Sequence, residues 1–113
     1  MEQGELAALD YALGALGAEV VTGLRAFAKR RRIALDRIEA VVDGELENAL
    51  LYLEVIGETG GPALTRVRIK LYLESPHARE ILVQLLDDTL KRLPLVQTFA
   101  AAVDVQLSLT ATA

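Results

Sequence analysis

The stretch from Leu13 to Arg32 reads "LGALGAEVVTGLRAFAKRRR", small and apolar residues interrupted by the carboxylate of Glu19 and closed by a basic run. Leu6, Leu9, Leu13, Leu16, Val20, Leu24 and Phe27 recur at spacings of three and four. That period predicts a helix from about Glu5 to Arg31, roughly 40 Å long at ~1.5 Å per residue. Glu19 is the puzzle in it. Its helical neighbours three and four positions away are Ala15, Leu16, Thr22 and Gly23, none of which can pair with its charge. Ala8, Ala12, Ala15, Gly23 and Ala26 lie along the same side and allow another backbone to come close. Glu19 is therefore expected at or near a helix contact. Burying its charge is costly unless water, an arginine or amide donors from elsewhere stabilise it.

A chain of 113 residues is most simply a single domain over residues 1–113, with room for one modest site. Hydrophobic residues at 52% exclude a disordered chain and exceed what so small a monomer buries easily, so part of the apolar surface is expected to close a subunit interface. The net charge of -4 argues against a general nucleic-acid binder. Cysteine is absent, which excludes a disulfide, a thiolate nucleophile, an iron–sulfur cluster and a cysteine zinc site. The run from Leu6 to Ala28 is long enough to cross a membrane, yet Asp10, Glu19 and Arg25 are costly at bilayer depth. A buried helix with no membrane partner is expected. No basic segment of a secretory signal precedes it, so a cytoplasmic location follows.

Beyond Ala34 the period changes to two. Ile38, Ala40 and Val42 alternate with Arg37, Glu39 and Asp43, predicting a strand with one wet face. A second strand is expected from about Leu46 to Ile56, with Leu51, Leu53 and Val55 on one face, and "GETGGP", Gly57 to Pro62, as the following turn. Val67, Ile69, Leu71 and Leu73 then alternate with Arg66, Arg68, Lys70 and Tyr72. Ser75 and Pro76 resemble a helix cap and first position, opening a helix to about Leu93 that Pro94 ends. A short helix near Gln97 to Ala101 leads to a last strand carrying Val103, Val105, Leu107 and Leu109, with the terminal "TATA" frayed. The plan is α+β, a long helix packed on an antiparallel sheet.

The chemical inventory is thin. "GETGG" has neither the spacing nor the following helix of a phosphate loop. His77 is the sole histidine and has no ligand at useful spacing, so no metal or cofactor is expected. Asp87 and Asp88 point about 100° apart on a helix and do not converge. The basic run Lys29 to Arg32 and the strand cations Arg66, Arg68 and Lys70 are expected in solvent.

The pattern resembles the OsmC/Ohr family, the osmotically inducible and organic-hydroperoxide-resistance proteins. Its long central helix carries a motif of the form L-x-x-A-L-G-A-C before a basic end, matched here from Leu13 to Arg32. Its second motif, C-P-V-x-x-T-L, is matched by "LPLVQTF", Leu93 to Phe99, followed by a closing strand. The resemblance implies a peroxidatic cysteine at the position of Glu19 and a resolving cysteine at that of Leu93. It also implies a glutamate at the position of Leu9, beside Asp10, and an arginine from an N-terminal β region that has no counterpart in this sequence. Neither a carboxylate nor an isobutyl group can run a thiol cycle.

The same resemblance implies an intertwined homodimer with its long helices packed together and two equivalent interface pockets. The expectation is thus a homodimeric OsmC-like protein without thiol peroxidase activity. Glu19, Leu93, Pro94 and Asp10 are its candidate pocket residues, for a small apolar ligand or one that tolerates an acidic group. The alternatives are Glu19 as a general acid or base, and a structural module that docks on another protein.

Overall fold

The computed structural model describes residues 7–113, in the order α1 (Ala7–Arg30), β1 (Arg37–Leu46), a short 3-10 turn (Ala49–Leu51), β2 (Leu64–Glu74), α2 (Arg79–Leu90), α3 (Pro94–Ala100) and β3 (Asp104–Thr112). The expected start of α1 at Glu5 lies outside the described residues. Leu13, Leu16, Val20, Leu24 and Ala28 form the buried stripe of α1. Val67, Ile69, Leu71 and Leu73 form the buried face of β2, so the two periods, near 3.6 and 2, meet in one core. Leu82, Leu85 and Leu86 of α2 close that core beside α1, and Leu93 and Val96 add the start of α3. The helix with the length and apolar composition of a membrane span thus spends its apolar stripe on the protein's own sheet.

The three strands stand in the order β1-β2-β3, with β1 antiparallel and β3 parallel to β2. The sheet is therefore mixed, where the alternating pattern suggested a wholly antiparallel one. Alternation reports which face a residue occupies and is blind to strand direction. The connection through α2 and α3 carries the chain back to the end where β2 began, which makes β3 parallel. Away from the helices the sheet is polar. Arg66 contacts Glu45 and Asp104, and Arg68 contacts Asp43 and Glu45, as cross-strand ion pairs.

Three segments depart from expectation. The expected second strand between Leu46 and Ile56 is absent. The β1–β2 register shifts at Glu45/Leu46, and Asn48 then accepts from the Leu50 amide and donates to Glu58 and Thr59. Glu54 follows with a positive φ of 60°, so the segment turns on itself rather than extending, and Val55 and Ile56 are exposed. Ser75 does not cap α2, which starts only at Arg79. Its hydroxyl donates to the Ala34 carbonyl at 2.6 Å and accepts from the His77 amide, tying the end of β2 to the segment after α1. The terminal "TATA" is not frayed: Thr112 lies in β3, and its carbonyl accepts from the Ser75 amide.

The basic end of α1 is partly used in packing. Arg31 meets Asp88 of α2 at 2.7 Å, and Arg30 stacks over Phe27. Ile33 donates to Ala28 and Arg32 to Lys29, the paired bonds of a Schellman ending, with Arg32 in the left-handed position at φ 56°. Glycine normally stands there because a Cβ is strained by about 1 kcal/mol. Arg32→Gly is expected to stabilise the chain by about 0.5–1 kcal/mol in urea denaturation. A loss of stability would contradict this assignment.

Hydrogen bonds from Arg31 and then Gln84 hold the Asp88 carboxyl below its ordinary value. Since the folded value is the lower one, the stabilisation is full above the unfolded value near about 4 and is lost as pH falls through the folded value. Asp88→Asn should flatten that part of the acid limb of a stability–pH profile. An unchanged limb would contradict the assignment.

Candidate functional site: the Glu19 junction between helices

The start of α3 lacks a cap of its own. Leu93 occupies the cap position in extended conformation and has no side-chain acceptor, while Pro94 at the first helical position has no N–H. The Gln97 amide reaches the Leu93 carbonyl at 3.0 Å. The amides of Leu95 and Val96 remain, the donors that a serine or aspartate cap would normally satisfy.

Glu19 supplies what is missing. Its Oε2 accepts from the Leu95 amide at 3.0 Å and its Oε1 from the Val96 amide at 2.9 Å, across 76 and 77 residues of sequence. Both carboxylate oxygens are engaged, and the negative charge lies at the positive end of the helix. Apolar packing completes the junction one turn further along α1. A Cβ added at Gly23 would stand 2.6 Å from the Leu93 Cδ2 and 3.3 Å from the Thr89 Cγ2, so the α2–α3 corner seats closely on α1 here and a larger residue would displace the Leu93 side chain. The Thr89 hydroxyl donates to the Leu85 carbonyl and leaves no unpaired group in the contact.

The structure therefore brings Glu19, Leu93 and Pro94 together and leaves Asp10 apart. Asp10 lies nine residues earlier on α1 and lines a cavity of about 450 Å³ with Gly14, Ala18, Val21, Ala40 and Val42, to which Glu19, Leu93 and Pro94 do not contribute. His77 neighbours Ser75 at the strand end, and no group of acidic or histidine side chains able to hold a metal occurs among the described residues.

Sequence reasoning missed the amides of Leu95 and Val96 as the partners of Glu19. A signal for them existed. "LP" at the start of a short helix announces uncapped donors, and an acid with no partner along its own helix is the matching acceptor.

This junction lies where the two motif segments of the sequence meet. The OsmC-like protein family matches residues 2–108. The chain belongs to the OsmC-like family. An OsmC-like protein from Mycoplasma pneumoniae superposes with a TM-score of 0.79 at 18% identity, covering 93% of this chain and 71% of its own. An organic hydroperoxide resistance protein OsmC from Legionella pneumophila gives 0.70 at 16% identity over 89% of this chain and 66% of its own. One from Vibrio cholerae, solved with captopril bound in one of its active sites, gives 0.61 at 15% identity over 86% and 60%. No curated protein sequence matches the chain. These likenesses establish the fold.

Removing the carboxylate tests the junction. Glu19→Ala should cost about 2 kcal/mol in urea denaturation, the upper range for a lost helix cap. Glu19→Gln should cost about 1 kcal/mol, because an amide has one acceptor oxygen and presents a donor to the other N–H. Unchanged stability in both would show that the two hydrogen bonds do not hold α3 in place.

Proposed function

We propose that this chain is a homodimeric OsmC-like binding protein of the cytoplasm rather than a thiol peroxidase. The observation that carries this reading is the engagement of both Glu19 oxygens by the Leu95 and Val96 amides, in a chain with no cysteine. At the positions that the family resemblance pairs with its two cysteines stand a helix-capping carboxylate and a buried leucine side chain, Glu19 and Leu93. Peroxide reduction by a thiol needs an atom that can pass through a sulfenic acid to a disulfide, and neither side chain has one.

The same hydrogen bonds weigh against Glu19 as a general acid or base. A proton-transferring carboxylate needs an oxygen within reach of substrate, and here each oxygen faces a backbone donor. The α1 and β1 surface beside the junction, with Gly14, Ala18, Val21, Ala40 and Val42, supports binding in place of chemistry. Its small apolar side chains suit a second protein surface and, where two copies meet, a small apolar ligand. The captopril-bound relative from Vibrio cholerae supports the idea of a small-molecule site in this fold.

Cumene hydroperoxide mixed with the purified protein and dithiothreitol should disappear no faster than in buffer, and the native mass spectrum should show a dimer. Catalysed hydroperoxide loss would overturn the non-peroxidase reading. A monomer at micromolar concentration would overturn the dimer.

A further inference from the structure

The end of α1 and the end of α2 gather cations on one surface. Lys29, Arg30, Arg31 and Arg32 stand at the end of α1, and Lys91 and Arg92 follow α2. Two contacts show that these segments meet. Arg31 pairs with Asp88 across them, and the guanidinium carbons of Arg30 and Arg92 lie 5.1 and 5.9 Å from the centre of the same Phe27 ring. The carboxylates on these segments are Asp36, Asp87 and Asp88, of which Arg31 already engages Asp88. Arg66 and Arg68 on the sheet have acidic partners, whereas Lys29, Arg30, Arg32, Lys91 and Arg92 make no ion pair with the described residues.

Arg32 carries its charge at a cost. Its φ of 56° is one that glycine adopts without strain, and its side chain makes no hydrogen bond or ion pair with the described residues. Lys29, Arg30 and Arg31 already place positive charge at the negative end of the helix, so the dipole does not call for a fourth cation. A strained residue with an idle charged side chain indicates a contact outside the chain. The net charge of -4 does not oppose an anionic partner here. Glu45, Glu47, Glu54 and Glu58 lie at or beyond the far end of the ten-residue strand β1, roughly 30 Å from its start at ~3.3 Å per residue. Charges so far apart are screened at a Debye length of about 8 Å.

We infer that this basic end binds a single-stranded nucleic acid. Phosphates meet Lys29, Arg32 and Lys91, and the guanidiniums of Arg30 and Arg92 beside Phe27 offer flat faces on which bases stack. Their forked donors also match phosphate oxygens in pairs. An anionic membrane fits less well, because none of the exposed large apolar side chains lies on the last turn of α1 or α2 to insert. An acidic peptide brings carboxylates without a base to stack.

Fluorescence anisotropy of a fluorescein-labelled oligouridylate, titrated with the purified protein, tests this. The wild-type protein should bind, with an affinity that falls as salt is raised. Arg32→Gly, Arg30→Ala and Arg92→Ala should each raise Kd about threefold or more. All three positions are exposed, so circular dichroism should stay that of the wild type. Arg32→Gly separates contact from folding, since it should bind more weakly while its urea midpoint rises. It should also flatten the plot of log Kd against log salt by about 0.7, the loss of one phosphate contact. Lys70→Ala, which removes a sheet cation distant in sequence from this surface, should leave Kd unchanged. No binding at low salt would overturn the inference, as would an unchanged Kd in the three variants or an equal loss in Lys70→Ala. Tighter binding to phosphatidylserine vesicles or to polyglutamate than to the oligonucleotide would overturn it in favour of that partner.

Discussion

The two hydrogen bonds from the backbone of α3 to the Glu19 carboxylate are the constraint around which the helical layer is arranged. A short helix that begins with a leucine and a proline has donors and no acceptor of its own. An acid within an apolar helix has an acceptor and no local donor. Each lacks what the other supplies, and their meeting fixes α3 against α1. The contact is polar but leaves no unmatched group, which is the condition for placing a charge beside a core. Because the α2–α3 corner also seats Leu93 against Gly23, polar and apolar complementarity act at neighbouring turns of one helix.

That junction decides the path of the rest of the chain. With α2 and α3 held against α1, the chain leaves α3 on the helical side of the sheet and enters β3 parallel to β2. Arg31 and Asp88 provide a second tie between α1 and α2 at the other side of the corner. The flank of α1 above β1 takes no part in these contacts. It lines, with Asp10, Gly14, Ala18 and Val21, the cavity of about 450 Å³ to which Glu19, Leu93 and Pro94 do not contribute.

Much of this was legible in the sequence. The apolar spacing of α1 and the alternation in β1 and β2 indicated the layers because each reports which side of an element is buried, while the segments around Glu19 and Leu93 pointed to the fold through their resemblance to the family's motifs. What failed were features that depend on direction or on particular hydrogen bonds. The segment from Leu46 to Ile56 alternates like a strand, but Asn48 and Glu54 bend it, and the alternation carries no trace of that bend. Ser75 followed by Pro76 has the composition of a cap, and its hydroxyl accepts from the His77 amide while donating to the Ala34 carbonyl 41 residues away, yet the helix begins only at Arg79. Arg32 ends α1 in a conformation usually reserved for glycine, so the expected letter was missing. Glu19 was recognisable as a residue in need of partners. Their identity required knowing that the start of α3 folds back onto the middle of α1.

If Glu19 caps α3, amide hydrogen exchange at Leu95 and Val96 reads it out: both amides are protected in the wild-type protein, and Glu19→Ala makes them exchange much faster, with core amides such as Ile69 and Leu71 changing only as far as global stability changes. Rapid exchange of the Leu95 and Val96 amides in the wild-type protein would contradict it. It would leave the carboxylate free for another role.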